Sequence, residues 1–371
     1  MARTYTKHRI RALRRKILKN ASALDSSTKI GITVFVLIFA ALGTYTIFRS
    51  FAASSPVTME AESGTLSGNA ATISDTNASG GSAVKFGAGS TSSSCDLPNF
   101  PNESCTGTPP GWVPTQTVTK DMNVNTPGAV IQNIRFANGS DLNVNAANVT
   151  VKDVEFQGGM INTSGPNTLI EDSTFDRLSP ETTGGEGAVS YCGYTAIRVK
   201  MLDRSEGFRE SGCDAGTLTE IQDSFVRITP PDWCEDGTNT DWHGDGIQGY
   251  YGTNLHVDHV TIDFHEDAKC QATSPFFYNG GSGGSPNGHA FVNNLLLKGG
   301  GETFRQGTPA PNSVQGLKIV NNSWRYTPID VYTSDGGGCA AINPWEAKLV
   351  EVNANWQITK VDGNLPCTNS N

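Results

Sequence analysis

Short runs in which apolar and polar residues alternate, each closing on Asn or Asp, recur along most of this chain. The fullest instance is Asp245 to Ile262, DGIQGYYGTNLHVDHVTI, where Ile247, Leu255, Val257, Val260 and Ile262 mark the apolar positions around a Gly-rich turn. Period-2 alternation is the signature of a strand with one buried face, and the Asn/Asp endings are turn residues. Asp121-Met122-Asn123-Val124-Asn125 is echoed by Asp141-Leu142-Asn143-Val144-Asn145. Each is followed by a second strand, Val130 to Phe136 and then Thr150 to Phe156, with a third copy at Leu169 to Phe175. Later copies are Glu220 to Ser224, Val257 to Val260, Val292 to Leu295 and Lys318 to Asn322. One strand–turn–strand unit repeated in this way predicts a solenoid, here an all-β parallel β-helix. The recurring Asn/Asp positions are expected to stack as an internal hydrogen-bonded ladder rather than to bind a ligand. Coil spacing grows towards the middle of the chain, so residues 176–192, 226–245 and 263–288 are expected to leave the barrel as loops. Long loops on a rigid scaffold are where sites tend to be built.

This pattern resembles the right-handed parallel β-helix of the pectate-lyase-like superfamily over roughly residues 116–356. The resemblance implies a fold, and a fold hosts many activities. Residues 57–87, with Glu60-Ala61-Glu62-Ser63-Gly64 and Ser82-Ala83-Val84-Lys85-Phe86-Gly87, resemble the opening strands of β-sandwich carbohydrate-binding modules. That resemblance implies a structural calcium near Glu60 and Glu62. A whole module needs on the order of one hundred residues, and a Gly/Ser-rich linker follows at once, so the segment is expected to act as a stalk.

Composition agrees with a turn-rich β-solenoid: 17% of the 371 residues are charged and 41 are Gly. The net charge of −9 is unevenly spread. Residues 1–29 hold nine Lys/Arg against Asp25 alone, about +8, which leaves about −17 on the rest. An acidic body of that kind is not a nucleic-acid binder. The basic run precedes Ile30 to Phe48, which carries no charge and is long enough to span the roughly 30 Å hydrocarbon core as a helix. Basic residues on its N-terminal side would keep that end in the cytoplasm. The expected order is a basic tail (1–29), a membrane anchor (30–48), an exported linker (49–94) and a β-helix domain (95–371). Cleavage near Ala53, as in a secretory signal, is the alternative. All eight cysteines lie beyond residue 90, which fits disulfides in an oxidising compartment. Pairing between sequence neighbours is expected: 95–105, 192–213, 234–270 and 339–367.

Aligning the strands before each turn gives a column of acids. Glu186 stands two before Ala188, Glu206 two before Phe208, Asp245 two before Ile247 and Glu302 two before Phe304. One position past the inward residue come Val189, Arg209, Gln248 and Arg305. On consecutive coils such carboxylates would sit about 4.8 Å apart, and a group of three needs a cation or an Arg to stay ionised. Glu206, Asp245 and Glu302 are therefore candidate calcium ligands. Ion pairs with Arg209 and Arg305 would be the purely structural use of the same acids.

A second cluster is Asn239-Thr240-Asp241-Trp242-His243-Gly244-Asp245. Asp241, His243 and Asp245 are titratable groups at a loop end, and Trp242 would be available to stack on a sugar. Asn-Thr-Asp is similar to the first signature of polygalacturonases, although no Asp-Asp pair, Gly-His-Gly or Arg-Ile-Lys accompanies it. Two chemistries fit these residues. The pectate-lyase resemblance implies calcium holding an acidic sugar while Arg209 or Arg305 removes its C5 proton. Alternatively two carboxylates would hydrolyse a glycosidic bond, with retention if they lie about 5 Å apart and inversion nearer 9.6 Å. Glu186, Gln248, Tyr250 and Glu302 would complete the substrate face. The Gly280–Gly284 match to an acyl-hydrolase elbow lacks a strand-to-helix setting and is read as chance. His256, His259 and His265 do not share a face and are not expected to bind a metal. Phe276, Phe277, Tyr278, Trp324, Tyr326 and Trp345 are expected to pack in the core or loops. The expected function is that of an exported polysaccharide lyase or glycoside hydrolase, with a non-catalytic glycan-binding adhesin as its rival.

Overall fold

The computed structural model describes residues 71–74 and 82–85 and then 95–370, apart from 179–186, 192, 211–216, 236, 238–241, 250–253, 267–268, 279–287 and 334–336. The chain divides into two compact units, Met1–Thr91 and Ser92–Asn371. In the first, Ala71–Ser74 pairs antiparallel with Ser82–Lys85. The predicted membrane span, 30–48, lies outside the described residues, as do the tail before it and Cys192 and Cys213. Among the described residues no helix is long and apolar enough to cross a membrane.

The second unit is a parallel β-solenoid. Each early coil carries three short strands, for instance Leu142–Val144, Thr150–Lys152 and Glu155–Gln157. Each of these pairs in parallel with its counterpart one coil on. The first strands stack into a ten-stranded sheet that runs from Met122–Val124 to Asn369–Ser370. The second and third columns meet at a tight corner marked in each coil by one left-handed residue. That residue is Asn133, Asp153, Asp172, Arg198, Asp223, His259, Asn294 and then Gly316, all at positive φ. Asn, Asp and Gly tolerate this left-handed conformation best, which is why the repeating motif closes on them.

The recurring Asn side chains do bond from rung to rung, as in Asn145 to Asn125, Asn162 to Asn143 and Asn167 to Asn148, but on the outside of the coil, and the corner side chains form no internal ladder. They project outward and bond to the next rung, as in Gln132 Nε2 to Asp153 (3.1 Å) and Arg198 Nε to Asp172 (2.6 Å). The inner side of the corner is served by serines instead. Ser173 and Ser224 are fully buried and accept hydrogen bonds from the Val154 and Val199 backbone N–H groups.

Alternate residues point into the coil and fill it. Phe136, Phe156 and Phe175 stack with centroids 4.6 and 4.7 Å apart, and Phe276 stacks on Phe304 at 4.7 Å. Phe276 and Tyr278 are buried in the core as expected and Phe277 is buried outside it, whereas Tyr326, expected to pack as well, is exposed. At the C-terminal end the strand Ile342–Val352 pairs antiparallel with Ile358–Asn364, so the last parallel edge is covered rather than left as a pairing template. Cys95–Cys105, Cys234–Cys270 and Cys339–Cys367 form the expected disulfides.

Successive rungs occupy Gln132, Lys152, Glu171, Ile197, Gln222, Asp258, Asn293 and Gln315. The second and third strands are joined by one or two residues in the early coils and run on as one continuous strand from Asn254–Phe264 onward, so the growth in spacing falls elsewhere. All of it leaves at the two corners that flank the ten-stranded sheet: 177–188, 229–244 and 265–273 before its strands, 211–217, 250–253 and 279–289 after them. The connections that vary in length therefore all lead into or out of one sheet.

Candidate functional site

On the flanked sheet the registered residues are Phe208, Ile247, Phe276, Phe304 and Ile329 facing inward. Arg209, Gln248, Phe277, Arg305 and Asp330 come next on each strand and face outward. Pairing fixes what spacing left open. Between Asp245 and Glu302 lies a rung headed by Ser274, since Asp245 is level with Ser274 and Glu302 with Thr327. Glu206 and Asp245 are thus on adjacent coils, and Glu302 is two coils beyond Asp245. At the other end Val189, not Ala188, is level with Phe208. Glu186, Asp241 and Tyr250 lie outside the described residues.

The expected calcium triad is not assembled. Both oxygens of Asp245 already accept hydrogen bonds, Oδ1 from the Ser274 backbone N–H (3.0 Å) and Oδ2 from Gln248 Nε2 (2.7 Å). Glu302 is drawn to Arg305 at 3.5 Å. Among the described residues no three His, Cys, Asp or Glu side chains are grouped so as to hold a metal ion. A donor set with N–H groups aimed at its oxygens, its third member two rungs away, does not fit a hard cation that takes six or more oxygen ligands.

Glu206, Arg209, Gln248 and Asp245 instead form a continuous network. Arg209 Nη2 lies 3.7 Å from Glu206, and its Nε donates to Gln248 Oε1 at 2.8 Å. Gln248 passes the polarity on to Asp245. Glu206 is 4% exposed and Asp245 1%. Burial holds the Asp245 pKa well above the usual carboxylate range, and repulsion from Glu206 adds to this. The Ser274 N–H, Gln248 and Arg209 oppose the rise and are outweighed. A buried carboxyl whose pKa is lifted by desolvation and a like charge is the environment of a proton donor.

Further along the same face Arg305 is paired with Asp330 at 2.9 Å and lies over the rings of Phe277 (5.3 Å) and Tyr332 (4.8 Å). Both candidate proton-abstracting arginines, Arg209 and Arg305, are therefore turned towards carboxylates of the same face.

The loop cluster also departs from expectation. Trp242 is buried, and its Nε1 donates to the Ser205 carbonyl at 3.2 Å, so it has no face to offer a sugar. Gly244 permits this, because a Cβ there would lie 2.2 Å from the indole ring. His243 is exposed beside it. Sequence reasoning missed Ser274 because it breaks the acid column. Its strand, Ser274-Pro275-Phe276-Phe277, nonetheless repeats the spacing of Asp245-Gly246-Ile247-Gln248 and of Glu302-Thr303-Phe304-Arg305. It also missed Asp330 and Tyr332, the partners of Arg305.

Two clefts of about 430 and 470 Å³ open elsewhere, one lined in part by Thr229, Phe264, His265 and Lys298, the other by Gln157, Asp176, Leu178 and Leu202. Neither includes Glu206 or Asp245. No protein-family profile, curated protein or solved structure matches this chain.

Proposed function

We propose that the chain is an exported, cell-surface carbohydrate-active protein, anchored through residues 30–48, whose loop-flanked sheet acts on a polysaccharide by carboxylate acid–base hydrolysis. The observation that carries the reading is the Glu206–Asp245 pair. Two nearly buried carboxylates stand on adjacent coils of the sheet that receives every long loop, and one of them has its pKa raised. Strands one coil apart lie about 4.8 Å from each other, close to the roughly 5–5.5 Å between carboxyl groups in retaining glycosidases. Asp245 is the general acid of this reading and Glu206 its partner, with Arg209 beside Glu206 at 3.7 Å. Gln248 would have to swing off Oδ2 for the acid to reach a glycosidic oxygen. The disulfides support export to an oxidising compartment. The resemblance to right-handed pectate-lyase-like helices and to carbohydrate-binding modules is what directs the choice of substrate class.

Hydrolysis is favoured over elimination because Arg209 and Arg305 are both ion-paired. A glycan-binding protein without turnover is the second reading. It is favoured by the low exposure of Asp245 and Glu206 and by the Arg305–Phe277–Tyr332 stack on the same face.

The test is the full chain assayed on a panel of acidic and neutral polysaccharides, with and without calcium, following both reducing ends and unsaturated products. Reducing ends are expected without unsaturation, and Asp245→Asn is expected to lower kcat/KM by about 100-fold. Calcium-dependent unsaturated product would replace hydrolysis with elimination. Glycan retained in a pull-down with no product from any substrate would leave the binding reading standing.

A further inference from the structure

Residues 95–108 form a strap, closed by Cys95–Cys105, that lies against the outer face of the third strand column. Its backbone is tied to that face by Gly107 N–H to the Arg198 carbonyl (2.7 Å) and by Thr108 N–H to Thr174 Oγ1 (3.0 Å). Asn102 Nδ2 reaches the Asn355 carbonyl in the C-terminal hairpin at 3.2 Å. Phe100, 2% exposed, joins Phe225, Leu296, Val350 and Trp356 in an apolar cluster separate from the main core. The strap thus covers outward-facing apolar residues that the solenoid itself leaves uncovered.

One contact of this strap depends on a proton. His259, the corner residue of its rung, lies between the strap and Asp223. Its Nδ1 is 2.6 Å from the Asp223 carboxylate, its Nε2 is 3.0 Å from the Asn99 carbonyl, and Phe100 packs against its ring at 5.8 Å. A carbonyl and a carboxylate only accept hydrogen bonds. A neutral imidazole carries one N–H, so whichever tautomer forms, one ring nitrogen turns a lone pair on an acceptor at hydrogen-bond distance. Only the imidazolium satisfies both.

We infer that His259 is a pH-sensitive latch that holds the 95–108 strap down while the imidazole is protonated and releases it when the proton is lost.

The charges around His259 agree with that assignment. Asp223 comes from the preceding rung and Asp258 from its own strand. Arg198, beyond Asp223, is already committed to Asp172 through two hydrogen bonds. On the following rung Asn294 is neutral and donates to Asp258. The strap presents the Asn99 carbonyl and the Phe100 ring, neither of which ionises. Burial pulls the His259 pKa down, but the hydrogen bonds to Asp223 and Asn99 and the two acids together raise it above its ordinary value. A raised folded-state pKa places the stabilisation below the ordinary histidine pKa of 6.5, with loss as pH climbs through the higher folded value. Release would uncover Phe225 and Leu296.

Hydrogen–deuterium exchange of the full chain, corrected for the intrinsic pH dependence of amide exchange, tests this. Between about pH 5 and pH 9 the strap amides are expected to lose about tenfold in protection for each unit by which docking raises the His259 pKa. Core amides around Val151 and Ile170 should be unchanged. His259→Asn keeps a residue that tolerates the left-handed corner and cannot ionise, so its strap protection should be flat across the range. Asp223→Asn should move the wild-type transition to lower pH. Strap protection that varies identically in wild type and His259→Asn would overturn the latch. So would a His259 ring resonance showing a neutral imidazole at the acid end. If His259→Asn disturbs the core amides, the direction of the Asp223→Asn shift decides, and an unmoved transition refutes the proposal.

Discussion

Replacing Phe156 with alanine is expected to destabilise the solenoid by about 3–5 kcal/mol, the range for truncating a fully buried Phe. Phe156 is the middle ring of three, with Phe136 stacked on one side at 4.6 Å and Phe175 on the other at 4.7 Å. All three are wholly buried. Removing the middle ring leaves two faces without partner atoms, and the rungs on either side are held at strand spacing and cannot close the gap. Phe156→Leu keeps most of the volume and should cost less. Repeat architectures hold each rung mainly to its neighbours, so the loss should also be local. Amides of the coils between Gln116 and Asp176 should exchange faster, while those of Ala290–Lys298 and Asn312–Val320 hold. Chemical denaturation gives the magnitude and hydrogen exchange the location. A drop below about 1 kcal/mol, or exchange raised evenly along the solenoid, would show that the stack is not what joins these coils.

The same stack shows why the fold was legible. Phe136, Phe156 and Phe175 stand three residues after Asn133, Asp153 and Asp172, so the periodic apolar position and the corner residue announce each other. A corner at positive φ has few side chains to choose from, and Asn or Asp at each turn reports it directly. Where the choice went elsewhere, to Arg198 and His259, the pattern blurs. The outward direction of the corner side chains was not readable. Alternation gives two faces, and a single left-handed residue resets which is which.

The polar network was legible in its members but not in register. The chain segments 226–245 and 263–288 do lead into one sheet, and Glu206, Asp245, Arg209 and Gln248 do lie together on it. Yet Ser274 carries a rung with no acid, and Ala188 and Val189 are both apolar and both buried, so the column shifted by a coil at one end and by a residue at the other. Trp242 sits among polar residues and reads as exposed. Only the close approach to Gly244 reveals that the ring folds under the loop. Long-range partners such as Asp330 for Arg305 leave no local trace, because pairing across coils depends on loop lengths that the alternating pattern does not encode.

Glu210 makes the second large expected effect: wild-type stability should fall as pH rises from about 5 to about 8, and Glu210→Gln should make that fall clearly shallower. The residue follows Arg209 on its strand but points inward and is fully buried. Its level partner on the next coil is Gly249, whose missing side chain leaves room for the Tyr278 ring. The carboxyl therefore sits in the interior near Tyr194 and Tyr278. Neither of its oxygens makes a well-formed hydrogen bond, although the Thr219 and Tyr194 hydroxyls pull its pKa part of the way back. Burial dominates and pushes the group from 4.5 up to about 8. The native state then holds a proton that the unfolded chain releases above its ordinary pKa. Between those two values each pH unit costs up to about 1.4 kcal/mol, several kcal/mol across the window as an upper bound. Above the folded pKa the penalty is complete and the slope ends. Gln keeps the shape of the protonated acid and offers its amide to the Tyr194 and Thr219 oxygens, so Glu210→Gln should match wild type near pH 5 and melt higher at pH 9. His259 and the buried Asp245 tilt stability in the same direction, so the comparison is best made in the His259→Asn background as well, where the difference in slope made by Glu210→Gln belongs to Glu210. Parallel melting curves for wild type and Glu210→Gln across that range would mean that the interior carboxyl finds a counter-charge or water when it ionises, and that its burial costs the fold little.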